Sequence, residues 1–347
     1  MNTHMLNEIL EQPEVTRKIL KKYIDGENIL IDLPENITRL RIIASGSSYN
    51  AASIITYFFK VNTNLDVNCD YSSEFILKPY FRYDKNTLYI FLSQSGETSD
   101  TVNALRKVKI RGIPSLVITN KKDSTLWREA DYKLEVFAGE EKSIAATKSF
   151  SAQTLCLYLI MLKYIEVHNS EALLSRLEEI KSLPDTMQHF LESRELIQPI
   201  AKILSGFDNI SILGNRVYYP IAKEAALKIK ETSYININAH PFGEFLHGHL
   251  AILNRKSAII ALLDADNLQS NLKILNKILQ DYNPTVVTVF ESPAFENFDF
   301  NFQIDNTPFI NKVFNLILFS QLLAYQTATE LGKDADKPKG LKKIVTE

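Results

Sequence analysis

Two short polar stretches stand where a chain can hold an anion. SQSGETSD (93–100) follows the apolar run TLYIFL (87–92), and SGSSYN (45–50) follows RLRIIA. Each run reads as a strand and each polar stretch leads into helical spacing. In a parallel sheet both turns then lie at the carboxyl edge, where ligands bind. Ser47, Ser48, Ser93, Ser95 and Thr98 can each donate a hydrogen bond without adding charge, and helix N-terminal N–H groups add more donors. Gly46 and Gly96 let backbone come close, and Gln94 can orient a hydroxyl of the ligand. Neither turn contains Lys or Arg, which points to one phosphate monoester rather than a polyphosphate with magnesium. The nucleotide signatures G-x-x-x-x-G-K-[ST] and G-x-G-x-x-G after a strand are also missing. The competing reading is that these residues cap helices, and for Thr98 alone the cap is the better one.

A second group of residues suits proton transfer and carbonyl chemistry. Glu231 and Lys228 lie three apart in ALKIKETSY, within 220–234, which is spaced as a helix. On one helix face the lysine keeps the carboxylate ionised, so Glu231 is a candidate general base with Lys228 as its helper. A surface ion pair, with Glu224–Lys228 as an equal alternative, fits the same spacing. His247, in GEFLHGH, titrates in the range an acid–base catalyst needs. His240, His247 and His249 with Glu244 form a competing metal-ligand set, though no further ligand spacing supports it. Lys343 lies in the tail PKGLKKIVTE, where a lysine is ordinarily solvated, but Leu341, Ile344 and Val345 can pack that tail down.

These groups are placed by alternating strands and helices. Residues 4–25 read as an amphipathic helix broken at Pro13. Then come strand into turn at 39–46, helix at 49–60, a strand at 65–71 and the strand at 87–92. A helix carrying Val102, Leu105 and Val108 stops at Gly112. Strands at 115–120 and 132–138 precede a long buried helix at 149–165. After a charged helical stretch the pattern restarts. Strand 209–215 leads to helix 220–234, and strand 257–264 leads to a helix and then strand 285–291. An edge strand at 301–306 precedes a last helix at 312–332. IIASGSSYNAAS and SILGNRVYYPIAKEA run alike, from apolar strand through Gly and a polar turn to Tyr and an Ala-rich helix. The expected fold is α/β, with two similar doubly wound parallel-sheet, flavodoxin-like domains. The boundaries read as an N-terminal helical segment (1–35), a first domain (36–168), a helical linker (169–205), a second domain (206–335) and a C-terminal tail (336–347).

The bulk numbers narrow the function. At 347 residues the chain can fill two domain cores, and 45% hydrophobic with 23% charged residues is an ordinary globular balance. A formal net charge of -2 gives no pull toward nucleic acid or an anionic membrane. Two cysteines, Cys69 and Cys156, make no disulfide framework and fit a reducing cytoplasm. The start MNTHMLNEILEQPE lacks the apolar region of an export signal, and LCLYLIMLKYI (155–165) is too short to span a bilayer.

Taken in order, GSSYNAAS, SQSGETSDT, SIAATKSF (143–150), EAALKIKETSYIN (224–236), FGEFLHGHLAIL (242–253) and DKPKGLKKIVTE (336–347) resemble the motifs of the sugar isomerase (SIS) family of phosphosugar-binding domains. Within it they are similar to the isomerase part of glucosamine-6-phosphate synthases, whose start EILEQP (8–13) also resembles. The resemblance covers nearly the whole chain. It implies that Ser47, Ser48, Ser93, Gln94, Ser95 and Thr98 hold a sugar phosphate, and that Glu231 is the base with Lys228 assisting. It further implies that His247 opens the ring, reaching the site of a neighbouring subunit, and that Lys343 forms an imine with the ketose. No metal, nucleotide or redox cofactor is implied, and a homodimer is. The sequence departs from the pattern at Ala146, where the synthases have Ser, at His249, where many relatives have Pro, and in the tail at Lys339, Gly340, Lys342 and Ile344. Lys342 also leaves open which tail lysine is the reactive one.

The glutaminase part is missing from the sequence, so the resemblance favours a stand-alone enzyme. It would convert glucosamine 6-phosphate to fructose 6-phosphate and ammonia, or run the reverse amination. The alternatives are a deglycase of fructosamine 6-phosphates and a non-catalytic sugar-phosphate sensor. Sensors in the family often carry a helix-turn-helix, whereas only about 35 residues precede the first strand here and they show no basic recognition helix.

Overall fold

Why six consecutive apolar residues form a strand rather than a helix turn is settled by their surroundings. In the computed structural model every residue of Thr87–Leu92 is buried, as expected for a central parallel strand covered on both faces. The structure describes residues 3–79, 84–168, 170–292, 295 and 297–343. Five strands, β1 (Arg39–Ala44), β2 (Asp66–Tyr71), β3 (Thr87–Leu92), β4 (Ser115–Thr119) and β5 (Tyr132–Glu135), make one parallel sheet in the order β2-β1-β3-β4-β5. Five more, β6 (Asn209–Leu213), β7 (Asn236–His240), β8 (Ala258–Leu262), β9 (Thr285–Phe290) and β10 (Phe300–Gln303), make a second parallel sheet. Its order is β7-β6-β8-β9-β10, which repeats the first. This is the flavodoxin-like order, in which the strand order reverses beside the first strand of each sheet. The weak repeat in the sequence is thus a repeat of fold, and the α/β expectation of two like domains holds.

The chain folds as two compact units, each of which takes in short segments distant in sequence. One contains Glu11–Glu141, Ala146–Pro184 and the chain from Lys342. The other contains the chain up to Leu10, Lys142–Ala145 and Asp185–Leu341. The first 35 residues therefore do not act as one segment. Helix His4–Leu10 belongs to the second unit, and helix Gln12–Tyr23 to the first. The break falls at Glu11, with Pro13 inside the first turn of the new helix, where its missing N–H costs nothing.

In the first unit the helix Lys148–His168 is the core element. Phe150, Leu155, Leu157, Leu159, Ile160 and Leu162 are all buried. It is long and apolar enough to cross a membrane, but most of it is buried inside the fold. Cys156 on this helix is buried, and burial pushes its thiol pKa well up. Cys69 is only partly buried, its sulfur 3.4 Å from the Ser53 hydroxyl. The charged stretch after residue 169 is four consecutive helical pieces, from Ser170–Lys181 to Gln198–Leu204.

Candidate active site

The first polar turn is shorter than expected, because the helix after β1 starts at Gly46 and runs to Asn62. Ser47 and Ser48 therefore occupy its first turn, where backbone N–H groups have no partner within the helix. Ser45 at the cap position makes no side-chain hydrogen bond to them. The Ser48 hydroxyl donates to Gln153 Oε1 at 2.8 Å, on the core helix. β1 and β3 pair with Ala44 opposite Leu92, so the two polar turns leave the sheet side by side.

After β3 the hydroxyls form one cluster. Ser93 Oγ lies 2.9 Å from Thr98 Oγ1 and 3.5 Å from Ser95 Oγ, and Ser93 and Ser95 are both 4% exposed. The Gly96 N–H donates to Ser93 Oγ at 3.1 Å, and the Glu97 N–H to Ser95 Oγ at 3.1 Å. The Gln94 carbonyl accepts from Asn120 N–H and from Thr119 Oγ1, which ties the loop to the end of β4. Thr98 stands at the cap position of helix Ser99–Lys109 but makes no side-chain cap, its hydroxyl facing Ser93 instead. The capping reading of Thr98 is therefore corrected in favour of the hydroxyl cluster. Gly96 has φ +66°, and a Cβ there would lie 2.1 Å from Ser124 Oγ. Its backbone comes close to Ser124, not merely to space for a ligand. No cation is needed to assemble this cradle. Hydroxyls and two helix N-termini make it attractive to an anion.

In the second unit, helix Tyr218–Ser233 follows β6 and carries the expected acid–base residues. Lys228 Nζ lies 2.5 Å from Glu231 Oε2 and 3.7 Å from Glu224 Oε1. The side chains of Lys228 and Glu224 are 1% and 2% exposed, and that of Glu231 is 23% exposed. The surface-pair reading of Glu224–Lys228 is thus wrong. Burial on the face toward the helix Phe309–Glu330, where Thr232 Oγ1 donates to Ala324 O, puts the pair inside. Lys228 thus lies within reach of two carboxyl groups, of which Glu231 is the one with access to solvent.

His247 is exposed, with Leu246 and Ile252 also exposed on the same segment. His240 and His249 pack against each other with ring centroids 3.9 Å apart. Burial first, and then the neighbouring His249, hold the His240 imidazole below its ordinary pKa. Among the described residues no group of three His, Cys, Asp or Glu side chains is placed to hold a metal, so the His240, Glu244, His247 and His249 set does not assemble as one.

The tail lysine is fixed by a residue that the sequence reading missed. Lys343 Nζ lies 2.6 Å from Glu141 Oε2, whose side chain is fully buried. Lys342 is exposed. Leu341 is exposed as well and does not pack the tail down, and Ile344 and Val345 lie outside the described residues. The strap before the lysine is fastened within the second unit. The Asp336 carboxylate accepts from the N–H groups of His4 and Met5, and the Tyr234 hydroxyl accepts from the Lys339 N–H at 2.7 Å. Glu141 was findable as an acid shortly before a helix start, where the macrodipole favours negative charge. The structure brings together the hydroxyls of one cradle, Lys228 with Glu224 and Glu231, and Lys343 with Glu141.

Comparison with known proteins gives the same picture. The SIS domain model matches residues 35–163 and again 203–330. A glutamine–fructose-6-phosphate aminotransferase (isomerizing) of Buchnera aphidicola is 34% identical over 99% of the chain, and the chain spans 58% of that relative's length. The solved C-terminal domain of glucosamine-fructose-6-phosphate aminotransferase from Francisella tularensis is 30% identical with a TM-score of 0.89. That match covers 97% of this chain and 99% of the other. Glucosamine-6-phosphate deaminase from Thermotoga maritima is 25% identical with a TM-score of 0.79, covering 99% of each chain. With two matched domains, a repeated flavodoxin-like sheet and the hydroxyl cradle at a switch point, the chain belongs to the SIS domain family.

Proposed function

We propose that the protein is a phosphosugar isomerase that deaminates glucosamine 6-phosphate to fructose 6-phosphate and ammonia, a reaction that also runs in reverse. The observation that carries this reading is the Glu224–Lys228–Glu231 arrangement, in which a partly exposed carboxylate lies 2.5 Å from a buried lysine. A sensor needs a phosphate cradle but not this costly buried charge. Ser47, Ser48, Ser93, Gln94, Ser95 and Thr98 hold the phosphomonoester. His247 opens the ring to the aldehyde. Glu231, whose side chain is 23% exposed, takes the proton from C2, exchanges it with solvent and delivers a proton to C1, and the aldehyde oxygen ends as the C1 hydroxyl. The C2 amine becomes an imine in the same rearrangement. The Lys343 amine, once its ammonium proton has passed to solvent, adds at C2 and expels ammonia. Water then hydrolyses the lysine imine to the ketose and frees the lysine. The balance is one water consumed and one ammonia released per sugar.

The exposed apolar segment around His247 supports a homodimer in which this histidine serves a partner's site. The chemistry draws on side chains only, so turnover is expected to be equal with added divalent metal and with chelator, in a cytoplasmic setting. The test is ammonia and fructose 6-phosphate release from glucosamine 6-phosphate. Release from a fructosamine 6-phosphate instead would select the deglycase. Tight binding of the phosphosugar with no turnover of either would select the sensor.

A further inference from the structure

Glu141 is a buried carboxylate with more partners than a helix cap requires. It precedes the core helix Lys148–His168 and reaches back to its N-terminus. Oε1 accepts from Thr147 N–H at 3.0 Å and Ser149 N–H at 3.1 Å, and Oε2 accepts from Ser149 Oγ at 2.7 Å. Lys343 Nζ, 202 residues further along the chain, donates to that same Oε2 at 2.6 Å. A helix N-terminus carries only about half a positive charge, so it cannot alone neutralise a carboxylate taken fully out of water. Lys343 supplies the remainder. Burial is the largest influence on Glu141 and raises its pKa. The Lys343 charge, then its hydrogen bond and those from Thr147 and Ser149, outweigh burial and hold the carboxyl below its ordinary range. Its place is that of a fixed charge at which the tail lysine docks.

We propose that Glu141 is the positioning residue that selects Lys343 over its neighbour Lys342 and holds the Lys343 amine at the N-terminus of the core helix for reaction with the sugar carbonyl. The proposal rests on the imine reading of Lys343. Lys343 reaches the buried carboxylate while Lys342 beside it is exposed, so the one carboxylate accepts one of the two lysines and leaves the other in water. That is the arrangement seen, with Lys342 exposed. The selection explains how a tail with two adjacent lysines keeps a single register.

The experiment is borohydride trapping with fructose 6-phosphate followed by peptide mass mapping, beside steady-state kinetics, on the wild type and the Glu141→Gln, Glu141→Asp and Lys342→Ala variants. In the wild type and Lys342→Ala the sugar should be trapped on Lys343, with equal kcat. In Glu141→Gln, trapping on Lys343 and kcat should fall together by about 100-fold while KM changes little, as for a misplaced reacting group. Glu141→Asp keeps the charge and should recover part of both, and it decides the matter if Glu141→Gln does not fold. A folded Glu141 variant with unchanged or higher kcat and unchanged Lys343 labelling overturns the proposal and leaves Glu141 a helix cap. Absence of any trapped lysine in the wild type defeats the imine reading first and removes this proposal with it. Labelling moved to Lys342 in the wild type defeats the selection while leaving an imine lysine.

Discussion

At the scale of the residue, the Lys228 cluster shows how a lysine and two carboxyl groups are gathered on one helix. One ammonium at 1% exposure faces two carboxylates, and only Glu231 reaches solvent. Replacing Glu231 by Gln removes the proton acceptor but keeps the shape. It should lower kcat by about 10²- to 10⁴-fold, with KM little changed, in steady-state assays. Lys228→Met leaves the Glu224 carboxylate buried without its cation. Urea denaturation at neutral pH should show a loss of about 3–5 kcal/mol, the usual cost of orphaning a buried charge. The cradle works differently, because its members are neutral. Ser93→Ala removes a hydroxyl that partners Thr98, Ser95 and Gly96 N–H. Loss of one hydrogen bond to a charged ligand is worth about 1.5–3 kcal/mol, so KM for the phosphosugar should rise by roughly 10- to 100-fold with kcat less affected.

At the scale of the element, position is set by where strands end and how helices begin. Gly96→Ala combines φ +66° with a Cβ 2.1 Å from Ser124 Oγ, so the loop after β3 must move. Thermal melts should show a loss of at least about 1–3 kcal/mol, and phosphosugar binding should weaken with it. The core helix N-terminus adds a pH dependence. Glu141 is held below its ordinary carboxylate range by partners present only in the folded chain. Its stabilisation is complete above the unfolded-state value and is lost as pH falls through the lowered folded value. The stability gap between wild type and Glu141→Gln should therefore narrow from neutral pH to about pH 3, as read by urea melts. These elements were readable to different degrees. The buried strands and the long helix were plain from apolar runs and spacing, and so was the repeated strand–Gly–helix order. Helix starts were less so. Gly46 opens its helix several residues earlier than the Tyr49 start expected, because polar serines in a first turn look like loop. The pairing of Glu141 with Lys343 escaped because the two lie 202 residues apart, a separation at which no local pattern exists. The depth of Glu224 escaped for a related reason, since burial of a charge depends on which helix packs over it.

At the scale of the whole molecule, the same five-strand order occurs twice and the two copies carry different polar clusters. The hydroxyl cradle belongs to the first copy, and the Glu224–Lys228–Glu231 cluster to the helix after β6 in the second. Each unit also takes in segments from elsewhere in the chain, which is why the N-terminal 35 residues could not be read as one domain segment. The exposed Leu246 and Ile252 beside His247 bear on assembly. Light scattering should give twice the chain mass, and Leu246→Glu should yield monomer with reduced turnover. The central claim is that Glu231 moves a proton on an amino-sugar phosphate. It is met most directly by following ammonia release from glucosamine 6-phosphate in deuterium oxide, with the wild type and Glu231→Gln compared. The account predicts steady release by the wild type with deuterium entering C1 of the fructose 6-phosphate, and near-complete loss of both in Glu231→Gln. Release at the wild-type rate by a folded Glu231→Gln protein, with the same deuterium at C1, would contradict it.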